Sequence, residues 1–343
     1  MLFLQFQAVI MKIKEIFLLS LFLSPSVWAI DLLPDVAVAE EGQTVLINIP
    51  QTRLFLFNDG NKKVSYPVAT GKKSTQTPLG SYTVTEKRYK PTWYIPLSIQ
   101  KEEAAKGMPK RTQVPPGPNN PLGPVFTRIG DPSLGLGIHG TNAPSSVPGW
   151  RSHGCIRMKS ENALKFANLV TLHTPVKVIY QRFALNEDDG GNLWLGVYAN
   201  PYAQKNDDYE MVLKAIEDWS NQRGASIDLD RMRKLLKTPT SGRCLTCAKG
   251  KHKVQGNLYS LSWTDGSAEI RRAVSYVDTN NVAHNIQDGE EVIDRTQHEG
   301  LIDAAPNGQQ SVLTPSKTEP LVPPDLEAKP AQKLKPTAID SLF

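Results

Sequence analysis

Short alternating runs of apolar and polar residues dominate residues 43–85. In the first run, Val45, Ile47 and Ile49 occupy alternate positions, and an Asn-Asp-Gly-Asn turn at residues 58–61 separates two later runs. Alternation with a period of two places the apolar side chains on one face of a strand, and Asp-Gly pairs favour tight turns between strands. A succession of such strands predicts a mainly β sandwich or barrel.

A long irregular stretch and one helix follow these strands. Residues 98–108 predict a short helix, and the proline-rich residues 115–121 cannot continue regular structure. Long insertions of this kind in compact domains usually form binding loops or lids, so we expect a lid loop here. Apolar residues at helical spacing after Ser160 predict a helix that this serine caps, and residues 176–180 predict a closing strand. The β domain is therefore expected to occupy residues 43–182.

The N-terminus predicts export. A basic start at residues 12–14, an apolar core and small residues up to Ala29 are typical of a secretory signal peptide that is cleaved after Ala29. An uncleaved membrane anchor is the alternative, although the apolar core is shorter than the roughly 20 residues that span a membrane. We assign residues 1–29 to the signal peptide and residues 30–42 to a linker.

A small appendage is predicted at residues 183–240. An alternating segment near Leu193 predicts a strand, and the apolar spacing within residues 208–223 and 228–237 predicts two amphipathic helices. The combination indicates an α+β unit next to the larger β domain.

The last hundred residues contain less pattern. Residues 241–304 hold a Cys-x-x-Cys motif and two predicted strands, and residues 305–343 are rich in proline with few large apolar groups, which predicts a disordered tail.

The formal net charge of the whole chain is +5, which suits an anionic polymer such as a cell wall. The basic residues are too dispersed to indicate a nucleic-acid partner.

The chain has three cysteines, an odd number for an exported protein. Cys244 and Cys247 are expected to form a structural disulfide in an oxidising compartment. A redox pair and half of a zinc site with His252 are the alternatives, and the spacing alone does not choose among them. Pairing of these two cysteines would leave Cys155 free for chemistry.

Cys155 lies in a Ser-His-Gly-Cys sequence, and His139 precedes it across a loop rich in glycine, proline and serine. A thiol attacks a carbonyl group only as a thiolate, and an imidazole is the usual group that removes its proton near neutral pH. The pattern therefore predicts a cysteine nucleophile with His139 as its general base. His153 is the alternative base, and we expect it instead to position the backbone.

Neighbouring groups complete the predicted site. The backbone N–H groups of residues 153–155 are expected to face a developing oxyanion. The carbonyl group of Gly140 and the side chain of Ser152 are candidates to orient the His139 ring. Arg157 is a candidate to hold a substrate carboxylate by a bidentate contact.

Two motifs carry a resemblance to a known family. The His-Gly-Thr-Asn sequence that begins at His139, followed by Ser-His-Gly-Cys-Ile-Arg from Ser152, resembles the signature of the YkuD-type L,D-transpeptidase catalytic domain. Residues 53–57, 77–80 and 115–123 resemble the same family, especially its Gram-negative periplasmic branch that includes ErfK and YbiS. Relatives in that branch often carry a LysM wall-binding module before the catalytic domain. Because the linker leaves no room for one, we expect wall binding from the catalytic domain or from the residues that follow it.

The resemblance implies a mainly β catalytic domain in which the cysteine forms a thioester with a tetrapeptide stem of peptidoglycan. It implies a base, an oxyanion site and substrate contacts, and it implies neither a metal nor a cofactor. For Trp93, packing in the core is as consistent with the sequence as substrate contact. The candidates are, for catalysis, Cys155, His139, Gly140, Ser152, His153 and Gly154, and, for substrate contact, Arg157, Thr141, Asn142 and Trp93.

The resemblance also implies a periplasmic enzyme whose acyl acceptor is an amine. An amine from a second stem would give a 3-3 cross-link, and a protein lysine would attach an outer-membrane protein to diaminopimelate. Carbapenems would acylate the same cysteine. Water as the acceptor would give an L,D-carboxypeptidase, and a non-catalytic wall-binding protein is a further interpretation. The sequence does not indicate an oligomeric state.

Overall fold

The computed structural model describes residues 30–205, 208–248 and 253–276. The predicted signal peptide and the predicted disordered tail lie outside these ranges. Among the described residues, no helix combines the length and the apolarity needed to cross a membrane. The described ranges contain four α-helices: α1 (Leu97–Ala105), α2 (Ser160–Leu169), α3 (Tyr209–Arg223) and α4 (Leu229–Leu235).

The same ranges contain seventeen strands, so the predicted mainly β architecture is confirmed. Their bounds are β1 (Gln43–Asn48), β2 (Arg53–Asn58), β3 (Asn61–Pro67), β4 (Ala69–Gly71), β5 (Gly80–Tyr89), β6 (Trp93–Tyr94), β7 (Gln113–Val114), β8 (Val125–Ile129), β9 (Gly137–His139), β10 (Gly149–Ser152), β11 (Ile156–Arg157), β12 (Pro175–Ile179), β13 (Phe183–Asp188), β14 (Leu193–Val197), β15 (Thr240–Cys244), β16 (Asn257–Leu261) and β17 (Ile270–Tyr276).

Fifteen strands form one hydrogen-bonded sheet, in the order β10-β4-β11-β9-β8-β5-β12-β1-β2-β3-β17-β16-β13-β14-β15. Strand β1 lies near its centre, parallel to β12 and antiparallel to β2, with Val45 opposite both Val176 and Leu56. The short strands β6 and β7 form a separate pair.

The first hydrophobic core lies between the curled sheet and α2. The alternating residues of β1 and β2, such as Val45 and Leu56, are buried there, as the sequence predicts. Helix α2 buries Ala163, Phe166 and Ala167 against the same core. Burial of one such large apolar side chain stabilises the fold by about 1.5–3 kcal/mol, so this packing fixes the strands that hold the site.

Residues 30–42 form no helix or strand before β1, but they do not extend freely as a linker would. Leu32 and Leu33 are fully buried, and the buried carboxylate of Asp35 accepts hydrogen bonds from the N–H groups of Trp263 and Thr264. These partners lie more than 220 residues away in the chain, so local composition gave no sign of them.

The appendage has a second core, formed by β13–β16 with α3 and α4. The apolar face predicted for α3 is buried there through Val212, Ile216 and Trp219, and the helix ends at Gly224, whose φ is +61°. Strand β15 crosses the predicted boundary at residue 240 and pairs with β14. The residues on either side of that boundary therefore share one sheet.

Strands β17 and β3 connect the two cores. Strand β17 lies parallel to β3, with Val274 opposite Asn61 and Ser275 opposite Lys62. The appendage sheet therefore continues the sheet of the first core through backbone hydrogen bonds.

The predicted lid is a hairpin-like excursion between β5 and β8. Strands β6 and β7 pair within it, and α1 lies between them with no buried residue. The proline-rich segment is held by Asn120, whose buried amide donates to the carbonyl groups of Pro91 and Val114 at 2.8 and 3.1 Å. One asparagine thus replaces the regular hydrogen bonding that the prolines prevent.

Candidate active site

Two adjacent parallel strands bring the histidine and the cysteine motifs together. Strand β9 ends at His139, and β11 begins immediately after Cys155, with Arg157 opposite His139 in register. The N–H group of Met158 donates to the His139 carbonyl oxygen at 2.8 Å. A cavity of about 540 Å³ opens at this edge of the sheet. Of the residues predicted from sequence, those that line it are Trp93, His139, Ser152, His153, Cys155 and Arg157.

Cys155 is a half-buried free thiol whose Sγ donates to the carbonyl oxygen of Gly135 at 3.3 Å. Burial raises the pKa of this thiol, while a backbone hydrogen bond at Gly137 and the charges of Arg157 and Arg128 oppose that effect. Because burial is the larger effect, the resting group is a thiol. It needs a base before it can act as a nucleophile.

His139 lines the same cavity in a form that can act as a base. Its ring is buried, and Nδ1 lies 2.6 Å from the carbonyl oxygen of Gly140, which can only accept a hydrogen bond. Nδ1 therefore carries the hydrogen, and Nε2 has the free lone pair. Burial lowers the pKa of His139 to about 4, with a smaller contribution from Arg157, so the ring is neutral at pH 7. The ring of Phe126 stacks on it at 6.0 Å.

Ser152 organises the backbone around the nucleophile and does not orient the histidine. Its Oγ donates to the Cys155 carbonyl oxygen at 2.5 Å and accepts from the Gly154 N–H at 3.1 Å. Gly154 has a φ of +114°, a conformation that residues with a side chain rarely adopt. The Gly154 N–H group is thereby engaged, whereas those of His153 and Cys155 have no hydrogen-bond partner among the described residues. An oxyanion would bind to these two groups.

Arg157 supplies a half-buried positive charge at the cavity. Burial lowers its pKa, and its guanidinium has no ion pair or hydrogen bond within the described part of the chain. Arg128 lines the same cavity, but its Nε donates to the Glu86 carboxylate at 3.0 Å and its guanidinium lies 5.5 Å from the Phe126 ring centre. Arg157 is therefore the cation available to an anionic ligand.

The lid is attached to the nucleophile loop, residues 153–155, by a hydrogen bond. The Nε2 atom of His153 lies 2.9 Å from the Glu102 carboxylate of α1, and Lys72 Nζ lies 3.5 Å from the same ring nitrogen. Hydrogen bonds from Lys106 and then His153 lower the pKa of Glu102 to about 2. His153 is thus occupied by the lid, which leaves His139 as the available base.

Two predicted substrate-contact residues lie away from this cavity. Thr141 lines a neighbouring cavity of about 420 Å³ together with Ser160, and the amide of Asn142 donates to the Asn119 carbonyl oxygen of the lid. Ser160 does not cap α2 through its side chain. Instead its Oγ donates to the Thr141 carbonyl oxygen at 2.9 Å and so supports the histidine loop.

The structure also adds site residues that sequence reasoning missed. Glu102, Phe126 and Arg128 have no distinctive local sequence, and Glu102 lies 51 positions before its partner His153. The alternation of β8, which places Phe126 on the same face as Arg128, is the one local signal that pointed to a shared environment.

Cys244 and Cys247 form a disulfide in the structure. Both are half-buried and pack beside the cluster that contains Trp194. Among the described residues, no group of three or more histidine, cysteine or acidic side chains is placed to hold a metal ion.

Comparison with known proteins now bears on this geometry. Residues 42–178 match the L,D-transpeptidase catalytic domain family, YkuD. YqjB of Bacillus subtilis strain 168, which is named as an L,D-transpeptidase, is 31% identical over 137 residues, covering 39% of this chain and 69% of that protein. The chain belongs to the L,D-transpeptidase family.

Other members of the L,D-transpeptidase family match less of their own length. ErfK/SrfK of Escherichia coli K12 is 29% identical over 168 residues, which cover 48% of this chain and 53% of that protein. A crystal structure of an L,D-transpeptidase from Mycobacterium tuberculosis H37Rv has 22% identity and a TM-score of 0.31, and the match covers 40% of this chain and 57% of that one. The chain thus spans about half the length of the first of these relatives.

Proposed function

We propose that this chain is a periplasmic cysteine L,D-transpeptidase that acts on peptidoglycan stem peptides through a thioester on Cys155. The observation that carries the proposal is the pairing of a protonated thiol with a buried, neutral imidazole at one cavity. General-base activation starts from these two forms, because a neutral imidazole can accept the proton that a thiol must lose.

The first half of the reaction transfers an acyl group to the enzyme. His139 Nε2 takes the Cys155 proton as Sγ attacks the carbonyl carbon of the bond before the terminal D-alanine. The carbonyl oxygen becomes an oxyanion, which the N–H groups of His153 and Cys155 stabilise. Collapse of this intermediate breaks the carbon–nitrogen bond, and His139 returns its proton to the departing D-alanine amine. A thioester remains on the enzyme.

The second half returns the thiol. An acceptor amine attacks the thioester carbonyl, His139 accepts its proton, and the carbon–sulfur bond breaks to give a new amide. The proton then passes to the Cys155 sulfur. Arg157 holds a stem-peptide carboxylate during both halves, because it is the unpaired cation at the cavity among the described residues. The acceptor is an amine of a second stem or a lysine of an outer-membrane protein.

Hydrolysis is the second candidate function, since water can resolve the same thioester. The lid favours an amine acceptor, because α1 covers one side of the nucleophile loop through the Glu102–His153 pair. Exclusion of bulk water in this way reduces loss of a reactive intermediate.

Intact-protein mass spectrometry with purified tetrapeptide muropeptides tests the proposal. We expect an adduct on Cys155 with loss of D-alanine, followed by a cross-linked product or, with a lysine donor added, a peptide-linked product. Resolution to a tripeptide alone with every amine donor would instead establish the hydrolase. The Cys155→Ser variant should give no adduct, and an adduct on that variant would reject the mechanism.

A further inference from the structure

One segment of the appendage is strongly basic. Eight of the 23 residues from Arg231 to Lys253 are lysine or arginine, and none is aspartate or glutamate. Because the whole chain has a net charge of +5, the rest of the chain carries a net charge of −3. The basic residues are spaced, not consecutive, so a search for a continuous run of Lys and Arg does not detect them.

The described basic side chains of this segment are exposed. Arg233 pairs with Asp230 at 2.8 Å. The others make no ion pair within the described ranges, and they are Arg231, Lys234, Lys237, Arg243 and Lys253. A set of unpaired exposed cations repels itself and attracts a polyanion, so its field favours a negatively charged partner.

The fold fixes several of these cations on one side of the appendage sheet. Helix α4 packs on the second core through Met232, and Leu236 directly after the helix is buried in the same core. Arg243 lies opposite Leu195 of β14, whose side chain also belongs to this core. Cross-strand partners share a face of a sheet, so Arg243 projects on the side that α4 covers. We define the basic surface by Arg231, Lys234, Lys237 and Arg243.

A cavity of about 380 Å³ lies beside the basic surface. Pro239, Thr240 and Ser241, which connect Lys237 to Arg243, form one wall of this appendage cavity. The other wall includes Pro148, Arg53 and Trp150.

Trp150 links this cavity to the active site along one strand. Its Nε1 donates to the Ile49 carbonyl oxygen at 2.9 Å, which fixes the ring. Its strand, β10, ends at Ser152, which lines the cavity of Cys155. The proline and tryptophan rings give the appendage cavity an apolar wall of the kind on which a sugar ring stacks.

We propose that the basic surface and the appendage cavity together bind a peptidoglycan strand, with stem-peptide carboxylates on the cations and a sugar ring in the cavity. The identity of the polymer rests on the proposed function, whereas the charge and the cavity are independent of it. Retention of the strand at this position raises the effective concentration of stems near Cys155 without any new contact at the reacting groups.

Binding to purified sacculi tests the charged part of the site. We expect the full-length protein with R231Q, K234Q and K237Q to bind sacculi about tenfold more weakly than the unchanged protein, which corresponds to about 1.4 kcal/mol. Binding of the unchanged protein should weaken steeply with salt, because exposed charges are screened. The matched control removes three exposed lysines outside the lid and the basic surface, through K63Q, K159Q and K205Q. Equal binding by the triple variant, or an equal loss in the control, would overturn the proposal.

A second variant tests the cavity. S241W, on the exposed edge strand β15, should fill the cavity and reduce the part of sacculus binding that persists in high salt, while thermal unfolding stays unchanged. Unchanged high-salt binding by S241W would reject the sugar contact. Vesicles with anionic phospholipid and duplex DNA serve as competitors, and equal affinity for either, with the same dependence on the three charges, would identify a phosphate-binding surface instead.

The outcome is separable from the proposed function. The triple variant should form the Cys155 adduct with soluble muropeptides at the normal rate, because none of its changed residues lies at the active-site cavity. If the unchanged protein forms the adduct but does not bind sacculi, the inference alone is overturned. A protein that binds sacculi but forms no adduct contradicts the catalytic proposal alone.

Discussion

The Nδ1 atom of His139 lies 2.6 Å from the carbonyl oxygen of Gly140, so a neighbour in sequence fixes the tautomer of this buried imidazole. Burial lowers the pKa of this ring, and the hydrogen bond to the backbone carbonyl opposes that effect only in part. The ring is consequently neutral over the physiological pH range and presents Nε2 as an acceptor.

The pH dependence of stability should report this burial. His139 has a folded pKa of about 4, below its ordinary value of 6.5, so the unfolded chain binds more protons between these values. Its contribution to the free energy of unfolding is therefore fully present above about pH 6.5 and lost as the pH falls towards 4, by roughly 3 kcal/mol. Urea unfolding between pH 4 and pH 7.5 measures this slope.

His139→Gln should flatten the dependence of stability on pH and reduce acylation of Cys155 by 10²–10⁴-fold, the usual contribution of a general base. The control is His173→Gln, since His173 lies outside the active-site cavity. Equal pH slopes for the two variants would contradict the assignment of the titration to His139.

Ser152→Ala should damage both the turn and catalysis. It removes hydrogen bonds to the Cys155 carbonyl and from the Gly154 N–H, and loss of such buried bonds costs about 1–3 kcal/mol. We expect a lower melting temperature together with slower acylation, measured by calorimetry and adduct mass spectrometry. Ser146→Ala, which removes one local bond to the Ala143 carbonyl, is the control and should affect acylation little.

Glu102→Gln should loosen the lid. The change removes the charge that pairs with His153, so α1, which has no buried residue, loses its described contact with the nucleophile loop. Alkylation of Cys155 by a bulky maleimide should become several-fold faster. Glu103→Gln is the matched control, because Glu103 pairs with Arg111 within the lid. Equal acceleration by both changes would show that general lid destabilisation, and not the contact between Glu102 and His153, controls access.

Replacement of the disulfide by Cys244→Ser and Cys247→Ser should lower stability more than activity. A closed loop this short contributes about 2 kcal/mol in the chain-entropy account. We expect a lower melting temperature and normal adduct formation, since neither cysteine lines the active-site cavity. Thiol counting in denaturant provides the check on pairing: one reactive thiol is expected before reduction and three after it.

Local pattern predicted much of this fold, because alternation and turn residues act within a few positions. The strand at Leu193–Val197 and the helix at Tyr209–Arg223 follow directly from such periodicities. The buried position of Leu32 and Leu33 could not be predicted in that way. It depends on strands that the chain reaches far downstream.

In the site, too, local sequence pattern predicts some features, and others depend on contacts between distant parts of the chain. The cysteine and histidine motifs could be named from sequence, but their neighbourhood arises from the parallel pairing of β9 and β11, which no local pattern reports. The sequence predicts three backbone oxyanion donors, at residues 153–155, but the Gly154 N–H group donates to the Ser152 hydroxyl instead. This contact forms because the same hydroxyl donates to the Cys155 carbonyl three residues later and so closes the turn. The contact between Glu102 and His153 could be identified only from the tertiary fold.

The parallel pairing of β17 with β3 has a consequence for how the molecule can be divided. A protein shortened at residue 182 would leave β3 with an open row of backbone donors and acceptors, and it would strip the cover from Leu32. Unpaired edges of this kind promote association between chains. The segment that matches the family is thus not an independent unit in this protein, and any transplant of that segment to another scaffold must carry the appendage with it.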